Sequence, residues 1–518
     1  MSRGEPSAQV PPPPGDPSRA ERLLWAAGTV AFLVAAAGDR VPWLRGPAPY
    51  PPEWQWPLRD EAATGPLWPA IVSAASLVGL LVASGTSGAR RNPERARRGV
   101  LAAASVLGLV LPLTLAALEP DGALPTLFGR VAYRTATSYY TVAISPEAAD
   151  PLDFVRRHDE LLPGFRKGAK HAATHPPGPV LVYRGLLELC ERLPGLTRGV
   201  LRVSGLPESN PRRARPEHVA SARAAGVLGA LLILVAGVAT GWPVAGLARE
   251  AGCGPVASAR LGVLWMLLPG PVLMLPQFDQ ALALPVAVSA LALWRALRAE
   301  GARGGAGWAV GSGLAGGAAV ALSYGAPAFL AISGVAVLCA SWAEGRPLSR
   351  GLPRCLVAAA VTAATFAAPA LVGHHPVASA MEALRIHREF FTLPRDYALW
   401  LVFDPLDLAV FVGWPVAVSL VLATLRSARR LAARTALQPS EAFRLGAVAA
   451  LLALVISGQA RGEVGRIWIP IMPVLLVAAL ARARVPGDDT APSAASAACL
   501  GAALAPITVA IALWWSFF

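Results

Sequence analysis

The residues that could do chemistry in this chain are few and stand between long apolar runs. His171 and His175 are one helical turn apart in His171-Ala172-Ala173-Thr174-His175-Pro176-Pro177-Gly178. On a continuous helix such a pair shares a face and can hold a metal. Ala172, however, stands where a zinc protease of the HExxH type needs its Glu, and Pro176 disfavours helix at the residue before it. For His175 a site role and a wet loop position both stay open. Asp279 lies in the tight turn Pro276-Gln277-Phe278-Asp279 between two apolar runs. A carboxylate at a membrane edge is costly and needs a reason. Orienting an acceptor, binding a metal or acting as a base would supply one; a solvated helix cap is the plain alternative. Arg461-Gly462-Glu463-Val464-Gly465-Arg466 places two cations and a carboxylate at the head of another run. Arginines of this kind hold phosphate through charge-assisted bonds, and a salt-bridged anchor is the plain alternative.

The elements that must position these groups are hydrophobic helices. The 518 residues are 54% hydrophobic and 15% charged, against about 25% charged in a soluble domain. Many runs reach the roughly 20 residues that cross a bilayer, where the backbone must satisfy its own hydrogen bonds and so be helical. The fold class expected is all-α: a polytopic membrane protein of about thirteen transmembrane helices, with an amphipathic juxtamembrane helix at 180–193 in a long outer loop. The spans fall near 23–38, 67–84, 100–118, 220–247, 256–275, 282–297, 306–323, 325–342, 355–372, 400–425, 443–458, 467–481 and 494–516. Domains follow: a disordered Pro-rich stretch 1–21, two N-terminal helices in 22–99, a membrane domain 100–484 with the outer loop 119–218, and a cytoplasmic linker with the final helix, 485–518. With this count nearly every Arg cluster falls on one side, among them Arg90 to Arg98, Arg295 to Arg303, Arg426 to Arg434, and Arg482 with Arg484. By the positive-inside rule that side is cytoplasmic. The N-terminus is then inside and the C-terminus outside, with Arg192, Arg198, Arg202, Arg212, Arg213 and Arg215 as exceptions on the outer face. The membrane expected is a bacterial plasma membrane.

The net charge of +14 belongs to those loops and to anionic lipid; no basic stripe interleaved with aromatics points to nucleic acid. The five cysteines stand singly, with no CxxC pair, which excludes a disulfide framework and a metal knuckle. Trp54, Trp56, Trp514 and Trp515 read as interfacial belt residues. Ionisable residues are scarce inside the spans.

In the order of these elements the chain resembles the GT-C superfamily of membrane glycosyltransferases, in the branch of the protein mannosyltransferases and aminoarabinose transferases. The likeness runs from about residue 100 onward, after two further N-terminal spans. It rests on the long loop, the His175-Pro176-Pro177-Gly178 element opening a juxtamembrane helix, Asp279 outside a later hairpin, and the run Arg461 to Trp468. The resemblance implies a polyprenyl-phosphate sugar donor, a lipid, glycan or protein acceptor, and chemistry at the outer face. It implies catalytic roles for Asp279, His175 and Glu463, and substrate contacts from His171, Tyr139, Tyr140, Arg461 and Arg466. A divalent metal is a candidate cofactor, and no ligand set in the sequence assigns one. Where such enzymes carry Asp-Glu, this chain reads Thr137-Ser138-Tyr139-Tyr140-Thr141. The base therefore stays open, with Asp60-Glu61, Asp121, Asp150, Asp153, Asp159 and Glu160 also within the loops. Two other readings stand beside the enzyme: a lipid or glycan transporter or flippase, and a non-catalytic relative of the glycosyltransferase.

Overall fold

The computed structural model describes residues 16–60, 62–86, 91–133, 137–206, 219–482 and 492–517. Among them the structure is helical, with an isolated bridge between Leu58 and Trp515. Among the described residues nine helices are long and apolar enough to cross a membrane, or ten if the bent pair Tyr397–Phe411 and Trp414–Ala432 makes one span. The chain is thus a multi-pass membrane protein set in a lipid bilayer.

The expected count of about thirteen differs from this at four segments, each for a local reason. Trp68–Ala83 is apolar but has only 16 residues. The run 256–275 stops at Trp265 and restarts as Pro269–Leu273. The run 400–425 bends by 117° at Gly413, whose φ of 87° is one that glycine takes at no steric cost. The run 467–481 opens as the 3-10 turn Ile469–Ile471 before Met472–Leu480, and Pro470 and Pro473 lack the N–H that a continuous helix would use there. Apolar length was present in the last three. Gly and Pro inside it decide where the helix breaks.

Helix ends follow capping chemistry. Asn92 accepts from Arg95 N ahead of Pro93–Ala116, and Asp396 accepts from Leu399 N ahead of Tyr397–Phe411. Phe278–Arg298 has Asp279 in its first turn and Arg295 and Arg298 in its last, the arrangement that the helix dipole favours. At that last turn Arg298 binds Glu250 at 2.6 Å, and Arg346 binds Glu344 at 3.0 Å.

One apolar core joins the bundle. Helix Arg19–Ala36 packs on Ala494–Trp514 and Trp414–Ala432, and Trp25 Nε1 donates to Ser419 at 2.9 Å. The first helix begins at Arg19, inside the stretch expected to be disordered, and Asp16 accepts from Ser493 and Ser496. Residues 1–15, Glu61, Arg90, Arg212, Arg213, Arg215 and Arg484 lie outside the described residues. The described part of the long loop is a chain of short helices from Ala123–Ala132 to Pro194–Ser204, none of them a candidate span. Gly178–Arg192 opens after the His-Pro-Pro stretch, as its pattern predicts, but it leans on a neighbour. The Tyr183 ring sits on Gly229, where an added Cβ would meet it at 2.1 Å, and Leu187 and Cys190 cluster with Ala222 and Ala225. The helix therefore runs antiparallel along the first turns of Val219–Ala239.

Candidate functional site

One cavity of about 870 Å³ takes in residues from all three polar stretches singled out by the sequence. Its polar end is built around Arg466. Arg466 Nη2 lies 2.7 Å from Glu463 Oε2, and its Nε lies 3.8 Å from Asp279 Oδ2. Glu463 Oε1 accepts at 3.2 Å from Nη2 of Arg395, whose Nη1 donates to the Arg461 carbonyl. The Arg395 guanidinium lies 5.8 Å from the Trp54 ring and 5.9 Å from the Trp400 ring. Even so, Nε of Arg395 and Nε of Arg466 are buried with no hydrogen-bond partner among the described residues. Each such orphaned donor costs about 1–3 kcal/mol or more, which an anion placed between them would recover.

The other end of the cavity is an apolar groove. Asp279 at the polar end and Leu293 both line the cavity; fourteen residues of helix at about 1.5 Å each put some 21 Å between them. Its walls are Ala326–Ala343, with Leu330 and Leu338, and Ser349–Val372, with Cys355 and Phe366. The groove runs along both of these helices. Ser349–Val372 is scarcely buried. It is held by its neighbour 303–322 through Gly313, where an added Cβ would meet Val361 at 2.5 Å.

The loop that carries Glu463 is unusual. Gly462 and Glu463 have φ of 82° and 58°, and a non-glycine residue in that region is strained. Two buried aspartates hold it there. Asp404 accepts from Gly462 N at 2.9 Å, and Asp407 accepts from Gly465 N at 2.8 Å. They sit one turn apart on Tyr397–Phe411, inside a run where ionisable groups were expected to be scarce. The second oxygen of Asp407 accepts from Trp56 Nε1 at 2.8 Å. Trp56 is 2% exposed and Trp515 1%, which corrects the interfacial-belt expectation for both.

No family model matches the chain, and no curated protein matches it. The site must therefore be read from its own geometry, residue by residue. The helix Lys170–Ala173 ends before His175, so the two histidines do not share a helical face. His175 Nδ1 turns back to the His171 carbonyl at 2.9 Å. A carbonyl only accepts, so Nδ1 carries the proton and Nε2 keeps its lone pair. Burial, then the neighbouring His171, push His175 down to about 3. It stays neutral at pH 7 and serves as an acceptor rather than as a strong base. Among the described residues no group of three or more His, Cys, Asp or Glu is placed to hold a metal ion.

Tyr139 stands edge-on to His175 at 5.3 Å, to His171 at 6.5 Å and to Phe278 at 5.4 Å. Burial and the nearby Asp279 raise its pKa, so it keeps its proton as a donor. Tyr140 does not line the cavity; its hydroxyl donates to the Ala222 carbonyl at 2.8 Å. Arg461 lines the cavity, but its Nε and Nη1 donate to the carbonyls of Gly458, Thr392 and Arg395, which fasten the loop. Burial would raise Glu463, but Arg466, Arg395 and His171 outweigh it and hold the carboxyl below its usual range. Of the two carboxylates at Arg466, Asp279 has the looser contact. Among the loop acids, Asp60 and Asp121 line a second cavity of about 490 Å³ with Arg59, Glu119 and Arg130, while Asp150, Asp153, Asp159 and Glu160 line neither.

Sequence reading missed Arg395, Asp404 and Asp407, and gave no role to Gln277 and His387, which also line the cavity. Arg395 and Gln277 carry no local signature. The aspartates did carry one: two acids one turn apart in an apolar run need a reason.

Proposed function

We propose that the chain is a membrane glycosyltransferase of the GT-C type, from the branch of protein mannosyltransferases and aminoarabinose transferases. It takes a sugar from a polyprenyl-phosphate-linked donor and passes it to a lipid, glycan or protein acceptor at the outer face of the plasma membrane. The observation that carries this reading is the joining of orphaned arginine donors to an apolar groove in one cavity that reaches about 21 Å along Phe278–Arg298. A lipid-linked sugar has the matching parts: a polar head, a phosphate and an apolar tail. Asp279 takes the proton of the acceptor hydroxyl as its oxygen attacks the anomeric carbon. The bond from that carbon to the phosphate oxygen breaks, and the phosphate leaves with the electron pair, neutralised by Arg395 and Arg466. The Tyr139 hydroxyl and His175 Nε2 orient sugar hydroxyls, and Glu463 keeps the two arginines together. The reading includes thirteen crossings, counting the four short or broken segments, with the N-terminus cytoplasmic and the C-terminus outside.

The bent pair at Gly413 favours a second reading, transport, because broken helices with buried acids line many transporter sites. Here, though, both acids are taken up by backbone N–H groups of the 462–465 loop. The test is transfer of labelled sugar from a panel of polyprenyl-phosphate donors by the full chain in lipid vesicles. Wild type transfers and Asp279→Asn loses more than about a hundredfold, the scale of a general base. Absence of transfer across the panel refutes the enzyme, and donor crossing the vesicle uncleaved supports the transporter.

A further inference from the structure

We propose that the loop 42–60 between the first two helices braces this site from behind, with Trp56 and Glu53 as positioning residues that set where the two arginines stand. The proposal rests on the reading of Arg395 and Arg466 as a phosphate clamp. Two separate hydrogen-bond chains run from the loop to the clamp. In the first, Trp56 Nε1 donates to Asp407 at 2.8 Å, and the other oxygen of Asp407 accepts from Gly465 N at 2.8 Å. Gly465 precedes Arg466 and is pinned on its other side, where an added Cβ would meet the Phe411 ring at 2.1 Å. In the second, Glu53 accepts from Trp400 Nε1 at 2.6 Å and from Asp396 N at 3.0 Å. Asp396 follows Arg395, and the Trp400 ring faces its guanidinium.

The loop is itself made stiff. Arg45 binds Asp39 at 2.6 Å and donates to the Trp56 carbonyl, and the Trp56 ring packs on Phe411 at 5.1 Å and Phe517 at 5.5 Å. A fixed loop that meets each arginine through a neighbouring backbone unit controls position and not charge. Position matters because guanidinium–phosphate bonds are directional, and a shift of about 1 Å forfeits them. The loop between the two N-terminal helices, ahead of the part of the chain that resembles a glycosyltransferase, thus supplies the support for the clamp.

The experiment measures binding of farnesyl phosphate and of farnesol to the full chain in detergent by calorimetry. Trp56→Phe keeps an aromatic ring and removes the donor; Asp407→Asn keeps the size and removes the charge. Both weaken farnesyl phosphate by about tenfold and leave farnesol within about twofold, since only the phosphate contact depends on the lost hydrogen bond. Trp43→Phe, at an exposed position in the opening turn of the same loop, changes neither. Equal weakening of both ligands marks a merely structural role and overturns the proposal. It is overturned alone if both variants match wild type while Arg466→Gln loses the preference for phosphate. If wild type itself shows no preference for farnesyl phosphate over farnesol, the clamp and this proposal fall together.

Discussion

Glu463→Gln separates what holds the clamp together from what the clamp binds. Glu463 is 6% exposed and meets Arg466 at 2.7 Å and Arg395 at 3.2 Å. Taking its charge away leaves two buried guanidiniums without their shared counter-ion, and breaking a buried pair in this way costs about 3–5 kcal/mol. The ligand-free protein should therefore melt earlier. Phosphate binding moves the other way. Arg395, Arg466, Glu463 and Asp279 together carry no net charge, and the variant carries +1. One unit charge about 5 Å from a phosphate at an effective dielectric near 20 is worth about 3 kcal/mol before screening. Retaining half of that tightens farnesyl phosphate by about tenfold. Thermal unfolding with and without the ligand, together with calorimetry, reads both effects. Equal or weaker phosphate binding by a folded Glu463→Gln protein would refute the reasoning. Acid should imitate the variant. The folded pKa of Glu463 lies below its ordinary 4.5, so its contribution is complete above pH 4.5 and is lost as pH falls through the folded value.

His158 is buried, with Nδ1 3.3 Å from Ser379 Oγ and its ring 5.8 Å from His374. Burial, then His374, push it down to about 3. A depressed histidine stabilises fully above its ordinary 6.5 and loses that contribution as pH falls toward 3, by up to about 1.4 kcal/mol per pH unit. Between pH 7 and pH 5, hydrogen exchange corrected for intrinsic rates should rise in His158–Phe165 and in the cavity-wall helix Pro376–His387, and His158→Gln should flatten the change; exchange that does not move would rule out this role for His158. Cys355 lines the groove, so farnesyl phosphate should slow its alkylation by N-ethylmaleimide severalfold and leave the exposed Cys499 unaffected. Equal rates at Cys355 would remove the groove as the seat of the tail.

Much of the fold was legible because apolar length and charge placement are local. Runs such as 443–458 and 494–516 returned as Pro439–Ser457 and Ala494–Trp514. The His-Pro-Pro stretch did mark the start of a helix, Gly178–Arg192. What escaped was long-range. Nothing near Trp56 says that it meets Asp407, and nothing near Arg395 says that its partner is Glu463. Those pairings exist only once a loop from one hairpin and a turn from another are brought to the same end of the bundle. Arg461 and Arg466 look alike in sequence. Only the backbone path, with its left-handed pair at Gly462 and Glu463, sends one into carbonyls and the other into the cavity. Tyr139 and Tyr140 part company for the same reason: adjacent residues on a short helix face different neighbours.

On the proposed reading, the groove beside the scarcely buried Ser349–Val372 changes what affinity means for this protein. A tail that enters through the flank of a bundle arrives by diffusion within the membrane sheet, not from bulk water. Occupancy then follows the mole fraction of the ligand among surrounding lipids, and adding empty bilayer dilutes it at constant molarity. Two laboratories using different lipid-to-protein ratios would obtain different dissociation constants in molar units and the same one per lipid.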